Sequence, residues 1–153
     1  MTFQYIKFFS DIGIDDVNSV GGKNASLGEM YQELATQGIK VPNGFAVTAD
    51  GYHYFLRHNQ LESPISDELN KLNIHDTQAL ANTGEKIRQW ISNATLPDDL
   101  LKEIKLAYQQ LEQEYGNGVD VAVRSSGTAE DLPDASFAGQ QETFLNVSGI
   151  DDI

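Results

Sequence analysis

The sequence contains no cysteine in its 153 residues. Disulfides, thiol nucleophiles and thiolate zinc sites are therefore excluded, and the composition fits a reducing compartment. No stretch approaches the roughly 20 apolar residues that a membrane-spanning helix needs. The first residues, Met1 to Gln4, lack the basic start and the apolar run of a signal peptide. These absences predict a cytoplasmic protein that has no membrane partner.

Basic residues are also scarce. Ten lysines and arginines stand against 23 aspartates and glutamates, which gives a formal net charge of -13. Such a surface repels polyanions, so nucleic acid is not an expected partner. A small anion is a different case, because charges more than about 8 Å away are largely screened at physiological salt. The charge balance thus leaves a nucleotide open as a ligand.

The apolar residues follow helical spacing in some segments and strand-like alternation in others. Strands are predicted at 3–9, 119–124 and 142–147, and residues 41–48 are predicted to form a turn that leads into a short strand. Helices are predicted to begin near Gly22, Thr48, Asp76 and Pro97. The predicted fold class is α+β, with several helices packed on a small mixed sheet. The residues expected to face a core are Leu27, Met30, Tyr31 and Leu34 in the first helix, Tyr52, Phe55 and Leu56 in the second, Leu80, Ile87, Trp90, Ile91 and Ala94 in the third, and Leu101, Ile104, Tyr108, Leu111 and Tyr115 in the fourth.

The segment VGGK, residues 20–23, places paired glycines before a predicted helix. Glycines let the backbone approach a ligand closely, and a helix amino terminus offers unpaired N–H groups to an anion. Lys23 adds a full positive charge. The segment is not a Walker loop, because Val17 replaces the first required glycine and Asn24 replaces the hydroxyl that would hold magnesium. It indicates phosphate contact by Lys23, and the alternative is a glycine turn with a solvated lysine.

Arg124 ends a predicted strand and is followed by two serines, a glycine and a threonine. A guanidinium, hydroxyls and a flexible glycine can converge on phosphate oxygens, the arginine with two bonds. The alternative is a structural arginine that pairs with Glu130, Asp131 or Asp134. If Lys23 and Arg124 reached one polyphosphate, their bonds and the helix terminus would supply roughly 3 to 8 kcal/mol. That range corresponds to millimolar to micromolar binding.

The segment FAGQQET, residues 137–143, is a small-residue turn followed by amides and a hydroxyl. It is suited to lying over a bound phosphate chain, although a surface turn entering a strand is the plainer interpretation. The nearby carboxylates at 130, 131 and 134 are candidate magnesium ligands, but in an acidic protein such groups more often only interact with solvent. The histidines at 53, 58 and 75 lack zinc-site spacing and are expected at the surface.

Three motifs occur in this order along the chain: VGGKNASLGEM at 20–30, VPNGF at 41–45, and the stretch from Val123 to Val147. Together they closely resemble the phosphoenolpyruvate synthase (pyruvate, water dikinase) family. The resemblance implies that residues 1–153 are the amino-terminal portion of an ATP-grasp-like nucleotide-binding domain in a protein roughly five times longer. Family members convert pyruvate, ATP and water to phosphoenolpyruvate, AMP and phosphate through a phosphohistidine on a swivelling domain.

The same resemblance implies the roles of four residues. Lys23 and Arg124 would contact the ATP phosphates, Gly139 would belong to the loop that covers them, and Thr143 would lie at the nucleotide beyond it. It implies no catalytic residue in this chain, since the phosphohistidine domain, the pyruvate site and the Mg²⁺ ligands would lie past Ile153. The expected partners are ATP, pyruvate, the phosphohistidine domain and further copies in a homo-oligomer, and the isolated chain is expected to be inactive.

One position departs from the family pattern. Gly127 stands where family members usually carry alanine, which loosens the backbone beside Arg124 but removes no functional group. The SSGTAEDLP form of the loop is more similar to synthases or rifampin phosphotransferases than to pyruvate, phosphate dikinases. Three functions therefore stay open: a synthase, a related dikinase or rifampin-phosphotransferase nucleotide domain, and a non-catalytic anion-binding module.

Overall fold

The computed structural model describes residues 2–129, 131–132, 135–136 and 142–153. The described helices are α1 (Val17–Val20), α2 (Gly22–Thr36), α3 (Ala49–His58), α4 (Glu62–Lys71), α5 (Thr77–Ser92) and α6 (Asp98–Tyr115). The described strands are β1 (Ile6–Phe8), β2 (Phe45–Val47), β3 (Val121–Arg124), β4 (Asp131–Leu132), β5 (Ala135–Ser136) and β6 (Thr143–Val147). Two short 3-10 turns, Phe9–Asp11 and Ile14–Asp16, join β1 to α1. The α+β class is thereby confirmed.

The expectation of one small mixed sheet is wrong for the described strands. They form three separate antiparallel pairs, β1 with β2, β3 with β6, and β4 with β5. Alternating apolar residues indicate that a strand forms, but they do not identify the strand that pairs with it. The number of sheets was therefore beyond what the pattern could predict.

Helix ends agree well with the sequence signals. The Thr48 hydroxyl caps α3 by accepting the backbone N–H three residues later at 3.3 Å, and Asp76 caps α5 in the same way at 3.0 Å. The last helix, α6, starts directly after Pro97 and stops at Gly116, whose φ is +108°. Helix α4 was not resolved as a separate element by the sequence pattern.

The buried faces differ from the expected ones at four positions. Met30, Tyr52, Leu80 and Tyr115 are between 45% and 47% exposed, although helical spacing placed them inward. In α2 the buried residues are instead small ones, Ala25 and Gly28. A Cβ at Gly28 would lie only 2.7 Å from the Cβ of Ile12, so this helix packs too closely for larger side chains.

Two groups of buried residues form the core. The first contains Ile12, Val20, Ala25 and Ala46, and it joins the start of the chain to α2 and β2. The second contains Phe55, Leu56 and Leu100, and it joins α3 to α6. Apolar burial of this kind is the main favourable contribution to folding.

Helix α6 is hydrogen-bonded to the backbone next to two of the three strand pairs. The Glu103 carboxylate accepts the backbone N–H groups of Gln4 and Tyr5, each at 2.9 Å, just before β1. The buried Tyr108 hydroxyl donates to the Val119 carbonyl at 3.0 Å and accepts the Gly149 N–H at 2.9 Å. The first pair and the β3–β6 pair are thus both anchored on one helix.

Across the described part of the chain, no helix combines the length and the apolar character that crossing a bilayer requires.

Asp16 organises the turn that leads into α1. Its carboxylate accepts the Gly13 N–H at 2.9 Å and the Lys7 ammonium at 2.8 Å. The bond from Gly13, followed by the bond from Lys7, lowers the pKa of Asp16. A carboxylate with a depressed folded-state pKa stabilises the fold above its unfolded pKa, and that stabilisation is lost as pH falls through the folded value.

We expect Asp16→Asn to lower the free energy of unfolding at pH 7 by about 0.5 to 1 kcal/mol, since both partners of the ion pair are partly exposed. The difference from the wild type should shrink as pH falls below about 4, where Asp16 of the unfolded chain becomes protonated, and should vanish once pH passes below the depressed pKa of the folded state. Urea unfolding at pH 7 and pH 3 measures this. Asp67→Asn on α4 is the control, because it removes the same charge from an exposed position. A deficit in Asp16→Asn that is constant with pH would contradict the assignment.

Candidate functional site

The first turn of α2 carries the first candidate residue. Lys23 is the second residue of the helix and is partly buried, and Gly21 immediately precedes the helix with φ +81° and ψ 160°. That backbone conformation is essentially restricted to glycine. The prediction that Lys23 falls in the first helical turn is confirmed.

The second candidate residue ends a strand, as its sequence pattern predicted. Arg124 is the last residue of β3, and its side chain is exposed. In the antiparallel pairing of β3 with β6, Arg124 lies opposite Thr143, and Val123 lies opposite Phe144. Two of the four predicted nucleotide-binding residues, Arg124 and Thr143, are therefore cross-strand neighbours.

The start of α2 and the loop after β3 are in direct contact. The Gly22 N–H donates to the Gly127 carbonyl at 3.3 Å, and the Asn24 N–H donates to the Ser126 hydroxyl oxygen at 3.2 Å. Ser126 is two residues beyond Arg124, and Asn24 is adjacent to Lys23. The fold thus brings together the two segments that carry the candidate cationic residues.

This contact corrects one expectation. The sequence predicted a helix terminus with N–H groups open to an anion, but those of Gly22 and Asn24 are engaged by the loop. An anion at this place would have to rely on side-chain charge rather than on these two amides. The sequence could not show this because the acceptors lie about a hundred residues further along the chain.

Ser126 makes a contact that the sequence did not predict. The sequence places its hydroxyl among the groups that converge on phosphate oxygens, whereas in the structure it accepts the Asn24 N–H. A signal for it did exist: α2 begins after Gly21, which has no side chain with which to cap the helix. Helix amino termini need acceptors for their first N–H groups, and a serine oxygen usually serves the second or third of these. A glycine at the cap position therefore indicates an acceptor from elsewhere in the chain.

Three residues named from the sequence are not among those that the structure describes. Gly139, Glu130 and Asp134 fall outside the described residues, and Asp131 is described only as part of β4. Within the described residues there is no group of three or more His, Asp or Glu side chains that could hold a metal ion. This part of the chain therefore does not fit a magnesium site of its own.

The histidines are where the sequence analysis expected them. His53, His58 and His75 are all exposed, and His53 lies 3.5 Å from Glu62 across an α3–α4 contact. His53 and His58 lie on α3, and His75 lies between α4 and α5.

The contact between Gly21 and the loop makes a stability prediction. A Cβ at Gly21 would clash with the backbone and the hydroxyl of Ser126. We expect Gly21→Ala to lower the free energy of unfolding by about 1 to 3 kcal/mol for the backbone conformation and by roughly 1 to 3 more for the clash.

Gly116→Ala is the matched control for this variant. Gly116 has a similar backbone conformation, with φ +108° and ψ 155°, but a Cβ there would have no heavy atom within 4 Å. Chemical unfolding of both variants separates the cost of the backbone conformation from the cost of the clash, because only Gly21→Ala adds the clash. Equal losses in the two variants would show that the loop does not press on α2.

Comparisons with known proteins identify the family of the chain. Residues 17–153 match the family described as pyruvate phosphate dikinase, AMP/ATP-binding domain, and this range includes Lys23, Arg124 and the connecting loop contact. The match covers most of the chain.

Curated relatives are similar over nearly the full chain. The chain is 51% identical to a phosphoenolpyruvate synthase of Neisseria meningitidis over all of its length and 19% of that protein. It is 52% identical to the Deinococcus radiodurans enzyme of the same name over 97% of the chain and 18% of the relative, and 50% identical to that of Escherichia coli over 95% and 18%. The chain thus spans about a fifth of the length of these relatives. On this evidence the chain belongs to the pyruvate phosphate dikinase AMP/ATP-binding domain family.

Proposed function

We propose that this chain supplies the ATP-binding part of a phosphoenolpyruvate synthase, within an ATP-grasp-like domain that extends past the residues present here. The observation that carries the proposal is the pair of hydrogen bonds joining the start of α2 to the loop after β3. They bring the segment of Lys23 next to the segment of Arg124. The family match and the relatives' common name support the same function.

In this proposal Lys23 and Arg124 bind the ATP phosphates. Transfer of a phosphoryl group spreads negative charge over its oxygens, and catalysis depends mostly on positioning and charge stabilisation. An ammonium is a compact point charge, whereas a guanidinium can bind two oxygens at once. Thr143, opposite Arg124 in the strand pair, offers a hydroxyl on the same stretch of sheet. Gly139 would belong to the loop covering the phosphates.

The charge of the chain is compatible with this role. The net charge is -13, yet screening limits each carboxylate to its immediate surroundings. The binding strength must come from contacts at the phosphate itself. Since the amides of Gly22 and Asn24 are occupied, the two cationic side chains carry more of it than the sequence alone suggested.

The proposed whole protein converts pyruvate, ATP and water to phosphoenolpyruvate, AMP and phosphate in the cytoplasm. Its phosphohistidine domain, its pyruvate site and its Mg²⁺ ligands would lie outside this chain, so the chain alone would be inactive. The surface of β6 supports a larger protein, because the neighbouring residues Phe144 and Leu145 are 57% and 68% exposed. Large apolar side chains exposed next to each other are typical of a surface that another part of a protein covers. The proposed enzyme is a homo-oligomer.

We expect Lys23→Ala and Arg124→Ala each to weaken ATP binding by the full-length protein about 10-fold to 100-fold, because each removes a charged hydrogen-bond donor to phosphate. Titration calorimetry measures the affinity. Arg88→Ala on α5 is the control, since it removes one positive charge from an exposed ion pair with Glu85. Unchanged affinity in both site variants would overturn the proposal.

The alternatives are separated by the product that the full-length protein forms. We expect pyruvate and ATP to yield phosphoenolpyruvate and AMP, which can be measured by a coupled assay. ATP-dependent phosphorylation of rifampin without this product would instead indicate the phosphotransferase. ATP binding without transfer to either acceptor would favour a non-catalytic module.

A further inference from the structure

We propose that Ser126 is a positioning residue for ATP binding: its hydroxyl holds the loop after Arg124 on the first turn of α2 and so fixes Lys23 relative to Arg124. This inference rests on the proposed function. The role of Ser126 goes beyond the proposed function, because Ser126 need not touch the nucleotide to act in this way.

The hydrogen bond between Asn24 and Ser126 shortens the path between the two candidate cations. Along the backbone, Lys23 and Arg124 are separated by almost the whole helical part of the chain. Across the Asn24–Ser126 hydrogen bond of 3.2 Å they are separated by only three residue steps. Two cations can serve one polyphosphate only if their spacing is held, since small misplacements weaken every bond to the phosphate oxygens. The hydrogen bond provides the short connection.

Ser126 also caps the first turn of α2. With Gly21 at the cap position, Asn24 is the third helical residue, the one whose N–H a capping side chain usually accepts. Ser126 supplies that oxygen from a distant segment, and the Gly127 carbonyl takes the N–H of Gly22. The first turn of α2, which carries Lys23, is therefore completed only when the loop is docked.

The loop after β3 packs closely against Gly21. A Cβ on Gly21 would overlap Ser126, so the loop backbone lies directly against the glycine. The close contact at Gly21 and the hydrogen bonds from Gly22 and Asn24 together restrict the position of the loop on α2. A loop that is held in this way couples the position of β3 to that of α2.

We expect Ser126→Ala in the full-length protein to weaken ATP binding about 3-fold to 10-fold, the effect of one lost hydrogen bond. In a Lys23→Ala background the same change should cost less than about 2-fold, because the position of a missing side chain no longer matters. Calorimetry with ATP raised into the millimolar range measures both factors. Ser126→Thr keeps the hydroxyl and should retain wild-type affinity.

Ser148→Ala is the matched control. Like Ser126, Ser148 uses its hydroxyl in a hydrogen bond to a distant backbone group, but it donates, to the Gly118 carbonyl at 2.7 Å, and it lies at the far end of the β3–β6 pair. Its ATP affinity should equal that of the wild type. Thermal unfolding of every variant shows whether the fold is intact.

The outcomes separate the two proposals. Wild-type affinity in Ser126→Ala, or an equal fold-loss in the wild-type and Lys23→Ala backgrounds, would overturn the positioning role. A loss in Ser148→Ala as large as that in Ser126→Ala would do the same. If Lys23→Ala and Arg124→Ala bind ATP normally, the proposed function itself fails. If both are weakened while Ser126→Ala is not, only the inference on Ser126 fails.

Discussion

Two hydrogen bonds connect the start of α2 with the loop after β3, across a sequence separation of 102 residues for the Asn24–Ser126 bond. They depend on Gly21, because any side chain there would occupy the space of Ser126. The same glycine leaves α2 without a cap of its own, so the helix takes its acceptor from the loop. One small residue thereby creates both the space for the contact and the need for it.

The rest of the fold holds the two partners of this contact in place. The buried Tyr108 on α6 binds the backbone before β3 and after β6, and Glu103 on the same helix binds the backbone before β1. Gly28 lets α2 pack closely against Ile12. The candidate site therefore lies between elements whose positions are set by buried contacts, and of its candidate side chains Arg124 is exposed and Lys23 is partly buried.

The engaged amides change the physical picture of anion binding. Many phosphate sites use the open N–H groups of a helix terminus. In this chain the loop takes the N–H groups of Gly22 and Asn24, and side-chain charge from Lys23 and Arg124 is left as the main attraction in the proposed site. The glycines at 21 and 22 then serve the packing of two chain segments as well as any approach to a ligand.

Sequence patterns predict the local elements: the caps Thr48 and Asp76, the start of α6 after Pro97, the strand that ends at Arg124, and the motifs that identify the family. These features depend on neighbours within a few residues, which a pattern can show. The folded chain alone reveals the three separate strand pairs, the exposure of Met30 and Tyr52, and the hydrogen bond from Asn24 to Ser126. Each of these depends on which distant segment packs against a given face, and residues far apart in the chain carry no local signal of their contact.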